Sequence, residues 1–461
     1  MRRQSPFPFR VGALGAILFA SVLVRMLSAF YQGDAVETLP GVYDQVSYHA
    51  LALRLNDGNG FSFATDWWPA TRAGRPTAHW SYLYTVYLAG LYGLFGAHPL
   101  IARLVQAVAV GLLHPWLTWR IGRRLFGDRV GLAAALWVAL YGYFVYYAGA
   151  LMTESFYLLA ILGSFDIATA LAVREQGRRV AHWFLLGVSL AAAVLLRQVF
   201  MLFVPFLLGW LWYRVRAAGA PESAVRAGRG IAVTCVAMAL MILPWTARNY
   251  LAFGRLVPVN TNAGFAFFWG NHPVHGYDFI PILDGSGPTY GSLIPRGLKG
   301  LDEASLDREL MRRGLGLVAA DPERYLHMTL ARAREYFKFW PSAQSSAAAN
   351  LGRVFSFGLL LPLAAFGLGR ATLARARGRR HGLLCDLPEV PGRGMLLCFM
   401  LVYSLVHLLS WALVRYRLPV DGVLVFYGAC GVLYLAQRAA PAACAGSPSR
   451  AGTAMVQGDC R

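Results

Sequence analysis

The chain has 461 residues, 57% of them hydrophobic and 14% charged, with a formal net charge of +20. A soluble domain carries about 25% charged residues, so the composition excludes an ordinary soluble globular protein. It also excludes a nucleic-acid binder, because the arginines cluster in short gaps between apolar runs, where the positive-inside rule places them.

The basic start, Met1 to Arg10, precedes an apolar stretch from Val11 to Leu27. No small-x-small cleavage site follows and Arg25 interrupts the end, so an uncleaved first span is expected rather than a signal peptide. Apolar runs predict spans at 11–30, 100–119, 129–148, 152–173, 180–196, 199–213, 230–247, 353–370, 395–413 and 418–437, about ten in all. Ser81–Gly96 is short and rich in tyrosine, which favours the interface. If it does not cross, the chain start and the basic gaps at 120–129, 174–179, 214–229 and 370–380 all fall on the cytoplasmic side.

The expected fold class is an all-α polytopic bundle. Residues 1–247 form a transmembrane module with an outer loop at 31–99. A partly helical outer segment covers 248–350, C-terminal spans cover 351–438, and a flexible tail covers 439–461. Within 248–350, Asp321-Pro322-Glu323 predicts a helix start running toward Phe337. Gly, Asn and Pro from Pro258 to Pro295 predict loops. The cysteines Cys235, Cys385, Cys398, Cys430, Cys444 and Cys460 show no metal-ligand spacing.

The candidate chemistry gathers on the predicted outer face. Asp44 opens a short helix whose apolar stripe is Tyr48, Leu51, Ala52 and Leu55, with Gly58 as its stop. It could cap that helix, or serve as a general base for an acceptor hydroxyl. Glu154 sits at the outer end of a span, where a carboxylate either has a role or snorkels to the interface. Asp166 lies twelve residues on, toward the opposite leaflet. Arg197, Arg415 and Arg417 are outer-facing guanidinium groups, suited to a phosphate or to lipid headgroups. Pro244 to Tyr250, with Arg248, and Gly270-Asn271-His272-Pro273 combine aromatic faces with amides, as a sugar site requires. His272 and His275 have no third metal ligand nearby. Neither a G-x-x-x-x-G-K-[ST] nor a G-x-G-x-x-G fingerprint occurs, so energy for an outer-face reaction would arrive with an activated substrate.

In order, the chain reads Asp44-Gln45-x-x-Tyr48, Pro76 to Gly96 with His79-Trp80 and ending Leu94-Phe95-Gly96, Arg123-Arg-Leu-Phe-Gly127, Leu151-Met-Thr-Glu154, Pro244-Trp-Thr-x-Arg-Asn249, Gly270-Asn-x-Pro273 and Arg415-Tyr416-Arg-Leu-Pro419. Together these resemble the GT-C-fold glycosyltransferases that use polyprenyl-phosphate sugars, a superfamily that includes lipid A aminoarabinose transferases and protein O-mannosyltransferases. Gln45 stands where the family has Glu. The resemblance implies a multi-pass protein of the bacterial inner membrane with its site on the periplasmic face. It implies transfer of a sugar from a polyprenyl-phosphate donor to a lipid, glycan or protein hydroxyl, with inversion. Asp44 takes the catalytic position, Glu154 orients substrate, and Arg197, Arg415 and Arg417 stabilise the leaving phosphate. Tyr48, His79, Trp80, Arg248, Asn271 and Tyr416 are expected to line the substrate site, and no cofactor or obligatory metal is expected. The rival class is a transporter or flippase for an anionic lipid or solute, which would need access from both faces.

Overall fold

The computed structural model describes residues 7–38, 42–173, 180–217, 223–283, 289–343, 345–376 and 392–439. The expected tail after Ala439, the basic gap at 174–179 and residues 377–380 of the gap at 370–380 lie outside these residues. Seventeen α-helices are described. They are α1 (Phe7–Gln32), α2 (Asp44–Asn56), α3 (Tyr82–Phe95), α4 (Pro99–Phe126), α5 (Asp128–Leu140), α6 (Gly142–Gly149), α7 (Glu154–Val173), α8 (Val180–Leu196), α9 (Val204–Arg216) and α10 (Ser223–Phe253), then α11 (Ala263–Gly270), α12 (Glu303–Ala320), α13 (Pro322–Tyr336), α14 (Ala347–Arg353), α15 (Leu359–Ala376), α16 (Arg393–Leu409) and α17 (Leu418–Ala439).

Seven helical stretches are long and apolar enough to cross a membrane, or eight if the pair α5 and α6, bent by 53°, counts as one span. The chain is therefore a multi-pass membrane protein. The expected count of about ten is not confirmed. The 17-residue helices α8 and α16 span only about 25 Å each, short of a hydrocarbon core of about 30 Å. The expected straight span at 129–148 is instead broken at Tyr141, whose backbone is extended. Helix α3 has 14 residues, about 21 Å, short of a hydrocarbon core of about 30 Å. The Ser81 hydroxyl donates to the Leu195 carbonyl at the end of α8, 2.9 Å. The Tyr87 hydroxyl donates to Ala102 in the first turn of α4, 2.6 Å. Between these anchors α3 lies along α2, held by Asn56 donating to the Ala89 carbonyl, 3.1 Å.

Close backbone approach builds the bundle. A Cβ on Gly122 would lie 2.7 Å from the Gly131 Cα, so α4 and α5 pack with no side chain between them. At the far end of this hairpin Asp166 on α7 pairs with Arg120 and Arg124 of α4, both at 3.0 Å. That carboxylate is consumed at the pole opposite the site described below.

The segment between α10 and α14 is more helical than its Gly, Asn and Pro content predicts. Its helix α11 packs so closely on α12 that a Cβ on Gly264 would overlap the Asp307 carbonyl oxygen at 1.7 Å. Asp307 in turn accepts from the backbone N–H groups of Gly264, 2.8 Å, and Phe265, 3.1 Å. These are free donors of the α11 start, so a carboxylate from α12 satisfies them. Helix α13 begins at Pro322 with Asp321 capping the Arg324 N–H, 2.9 Å, where the sequence places it. Buried Glu303, at the head of α12, ties the segment to the rest. It accepts from the Thr71 hydroxyl, 2.7 Å, the Thr77 hydroxyl, 2.8 Å, the Ala78 N–H, 2.8 Å, and the Thr261 hydroxyl.

Arg417 is part of the scaffold. It and Asp421 are fully buried, with the Arg417 Nε 2.9 Å from the Asp421 Oδ1. The Tyr141 hydroxyl donates to the other Asp421 oxygen, 2.7 Å. The guanidinium also donates to the Tyr336 carbonyl and lies over the Phe357 ring. This network joins the α5–α6 break, the end of α13 and the head of α17.

Two stability predictions follow from these groups. Removing one partner of a buried ion pair leaves an uncompensated charge and costs about 3–5 kcal/mol. Arg417→Met is therefore expected to lower the unfolding temperature in detergent sharply, whereas the pair change Arg417→Met with Asp421→Leu recovers much of the loss. Burial raises the Asp307 pKa to about 6, against the two backbone N–H bonds that lower it. A raised carboxyl pKa contributes stability that is present below about pH 4 and is lost as pH rises through about 6. Asp307→Asn should thus stabilise the protein at pH 8, by on the order of 1 kcal/mol after solvent screening, and leave pH 4 unchanged. Thermal unfolding at the two pH values checks this, and equal shifts at both would sink it.

Candidate active site

Helix α2 begins at Asp44 with Tyr43 preceding it, and neither residue makes a side-chain cap bond. Asp44 is therefore not a capping residue. Its helix is fixed by burial of Gln45, Ser47, Tyr48, Leu51 and Ala52 on one face. That face carries the expected stripe and leaves Asp44 at the edge of a cavity. Its carboxylate Oδ2 lies 3.1 Å from Nη1 of Arg415, on the short 3₁₀ turn Val414–Arg417. The same Arg415 nitrogen lies 3.4 Å from Oε1 of Glu154, the first residue of α7. Arg197, between α8 and the turn at Gln198–Leu202, also donates to Glu154 Oε1, and its Nε donates to the Thr153 hydroxyl, 2.9 Å.

Residues separated by up to 371 positions thus form one chain of alternating charge, Asp44–Arg415–Glu154–Arg197. Both guanidinium groups lie 5.2 Å from the Tyr416 ring centroid. Burial acts against the Arg197 charge, but the Glu154 carboxylate outweighs it and holds the pKa above the ordinary arginine value. The second Glu154 oxygen, Oε2, is buried and unpartnered.

Asp44, Arg197, Arg415 and Tyr416 line a cavity of about 2350 Å³. Ligand pockets of drug size hold about 300–1,000 Å³, so this space suits two substrates or one large headgroup. Its wall is aromatic. Trp68 stacks on Trp269, 5.5 Å between centroids, and meets His79 edge-on at 5.7 Å and Trp80 at 6.0 Å. Tyr48 lies behind, edge-on to Trp80 at 5.7 Å, and its hydroxyl accepts from the Ser81 N–H, 3.4 Å. Burial raises the Tyr48 pKa, with Asp44 adding to it, so its phenol is neutral. Burial lowers the His79 pKa, which Glu303 only partly offsets, so the imidazole is neutral at pH 7.

Four expected site residues do not line the cavity. Glu154 is one, 4% exposed and joined to the cavity wall through Arg197 and Arg415. Arg417 does not line the cavity, since its guanidinium is enclosed by Asp421, Tyr336 and Phe357. Arg248 donates to the carbonyls of Thr77, 2.8 Å, and Phe61, 3.1 Å, and lies 4.7 Å from the Trp245 ring, so it fastens α10 to the loop before α3. Asn271 is buried, where it accepts from the fully buried Arg332 and donates to the Phe267 carbonyl, 2.8 Å. The His272 and His275 pair makes no metal site. Nδ1 of His272 accepts from the Val274 N–H, 3.1 Å. Both His275 nitrogens are engaged, with the Trp269 carbonyl, 2.8 Å, and the Ile280 N–H, 3.3 Å. Among the described residues no group of three or more His, Cys, Asp or Glu could hold a metal ion.

The residues that hold the acids in place are ones the sequence does not flag. Arg103 on α4, 1% exposed, donates to the side-chain oxygens of Gln32, 3.0 Å, and Gln45, 3.2 Å, and to the Ala35 and Gly149 carbonyls, 2.9 and 2.8 Å. One turn on, Gln106 donates to the Ala148 and Ala150 carbonyls, 2.9 and 2.8 Å, and accepts from the Tyr84 hydroxyl, 2.9 Å. Together they satisfy the open carbonyls where the chain turns from α6 into α7.

Comparison with known proteins agrees with this architecture. Residues 81–249 match the family of dolichyl-phosphate-mannose-protein mannosyltransferases. No curated protein matches the chain by sequence. The apo oligosaccharyltransferase of Archaeoglobus fulgidus superposes with a TM-score of 0.59 at 13% identity, covering 95% of this chain and 52% of that one. The archaeal oligosaccharyltransferase AglB from the same organism, in complex with an inhibitory peptide and a dolichol-phosphate, gives 0.54 at 14%, covering 93% and 50%. ArnT from Cupriavidus metallidurans bound to undecaprenyl phosphate gives 0.41 at 14%, covering 92% and 78%. The chain spans about half the length of the archaeal oligosaccharyltransferases. The chain thus has the fold of these archaeal oligosaccharyltransferases, and its stretch from α3 to α10 matches the mannosyltransferase family.

Proposed function

We propose that the protein is an integral-membrane glycosyltransferase. It moves a sugar from a polyprenyl-phosphate donor to a hydroxyl acceptor at the extracytoplasmic face of a bacterial inner membrane. The observation that carries this reading is the Asp44–Arg415–Glu154–Arg197 chain, of which Asp44, Arg415 and Arg197 line the aromatic cavity and Glu154 joins the two guanidinium groups. A carboxylate suited to take a proton lies within 3.1 Å of a guanidinium suited to hold a phosphate. The partial family match and the GT-C fold support the same class of chemistry.

In the proposed reaction the acceptor hydroxyl oxygen attacks the anomeric carbon as Asp44 takes its proton. The bond from that carbon to the phosphate oxygen breaks, and its electron pair leaves with the lipid phosphate. Attack from the face opposite the leaving group inverts the anomeric centre. Arg197 and Arg415 stabilise the charge that develops on the phosphate, which leaves no obligatory part for a metal. Glu154 holds both guanidinium groups in register. Trp80, His79, Tyr48 and Tyr416 form the wall against which the sugar ring packs.

A transporter needs a path between the two faces. The large cavity is lined from α2, α11, α13, α14 and α16, while the Asp166 pairs with Arg120 and Arg124 lie at the other end of α7 from Glu154 and do not line it. That asymmetry favours the transferase.

Three measurements test the proposal. Asp44→Asn should leave a folded protein that binds the donor, while turnover falls by about two to four orders of magnitude. Near-normal turnover would remove Asp44 as the base. Arg415→Lys keeps the charge but loses the planar fork, and should cost on the order of 2–4 kcal/mol in the transition state, read as kcat/KM. Single cysteines placed near positions 46 and 125 should react with an impermeant thiol reagent from opposite sides of the membrane. Labelling of both from one side would overturn the topology.

A further inference from the structure

The acid-bearing end of the cavity is electrically balanced, because two carboxylates face two guanidinium groups. The rest of its lining is not. Away from that cluster the three cations Arg334, Lys338 and Arg353 line the cavity against two carboxylates, Glu335 and Asp278. Glu335 is engaged by Lys338 at 3.0 Å. Arg353, at the end of α14, is 8% exposed, and its hydrogen-bond partners are neutral. They are the Trp340 carbonyl at 3.1 Å, the Asn350 side-chain oxygen at 3.2 Å and the Ser345 hydroxyl at 3.0 Å. Its Nε is buried without a partner. Among the described residues no carboxylate lies within ion-pair distance of it.

A buried cation without a counter-ion is costly. Arg25, Arg103 and Arg332 also lack a carboxylate partner, but each donates to at least two backbone carbonyls and none lines the cavity. Arg353 has one carbonyl and opens on the cavity. It also begins the π-helical turn Val354–Gly358, a local distortion that is rare in structural helices and frequent at functional sites. Its guanidinium also donates to the Tyr143 hydroxyl on α6, another neutral partner.

We infer that Arg353, with Lys338 and Arg334, forms a second phosphate subsite in the same cavity. It is distinct from the Arg197–Arg415 position and takes a phosphate monoester group. In the reading proposed above, on which this rests for its partner, that group is carried by the acceptor. If Arg197 and Arg415 do not hold the donor phosphate, the same subsite holds the donor's own.

The test uses the full chain in detergent with farnesyl phosphate as a donor mimic and inorganic phosphate as the second probe. Titration calorimetry is expected to show that protein saturated with farnesyl phosphate still binds inorganic phosphate. Arg353→Gln and Arg334→Gln should each weaken that second event about tenfold and leave farnesyl phosphate affinity within about twofold. Arg334 is exposed, so its variant does not threaten the fold, and Arg353→Lys should retain part of the binding. Arg415→Gln should weaken farnesyl phosphate and spare the second event, which tests the catalytic reading separately. If Arg353→Gln and Arg334→Gln weaken farnesyl phosphate itself, and the saturated protein binds no second phosphate, the subsite stands as the donor's and the acceptor assignment falls. If neither variant changes the binding of either probe, there is no phosphate subsite.

Discussion

One buried guanidinium fixes the geometry on which the site depends. Arg103 reaches from α4 to the end of α1, to Gln45 on α2 and to Gly149 at the break before α7. The two carboxylates of the cluster stand next to these anchor points. Asp44 adjoins Gln45, and Glu154 follows the turn whose carbonyls Arg103 and Gln106 satisfy. In a bundle of this polarity an arginine at 1% exposure persists only with its donors engaged, and each partner here is neutral. Removing any of them would free a buried N–H and loosen the distance between the acids. The separation of Asp44 from Glu154 is thus set by a residue that touches neither.

The cluster itself is held closed by its own charges. The Arg415 nitrogen that pairs with Asp44 is the one that reaches Glu154, so its two N–H groups are divided between the two carboxylates. In the proposed reaction an incoming phosphate competes for the same guanidinium and releases Asp44 to the acceptor hydroxyl. The order of events would then be donor first and deprotonation second. Glu154, with Arg197 against it, keeps Arg415 from swinging away as that exchange occurs. A carboxylate used in this way need not touch the substrate to matter.

Legibility in the sequence followed the rarity of charge. In an apolar chain, Asp44, Glu154, Arg197 and Arg415 stand out because nothing in the flanking spans explains them, and the structure assembles these four. Arg417 stands out for the same reason, yet it faces the other way. It lies two residues from Arg415 on a 3₁₀ turn, and at about three residues per turn the two side chains point about 120° apart around the axis. A motif written Arg-x-Arg does not reveal that. Arg103, Gln106 and Glu303 were not legible, because their partners lie 40 to more than 200 positions away. The helix α11 was hidden by its glycines. Gly264 and Gly270 do not mark a turn there. They are small because Asp307 and the Ser410 carbonyl lie where a Cβ would go.

Gln45 shows how a departure from a family pattern can be read physically. Its Oε1 accepts from Arg103 and from the Leu151 N–H, both at 3.2 Å, while its Nε2 donates to the Glu37 carbonyl, 2.9 Å. An amide offers a donor and an acceptor at once in that place, which an ionised carboxylate does not. A glutamate would pair with Arg103 more strongly, but would set a carboxylate oxygen against the Glu37 carbonyl and a second negative charge beside Asp44. The amide keeps the position neutral, so the field at Asp44 is governed by Arg415 and Glu154. The substitution therefore moves charge control of the candidate base away from its sequence neighbour. It rests instead on residues from α7 and the 3₁₀ turn before α17, which only the fold brings near.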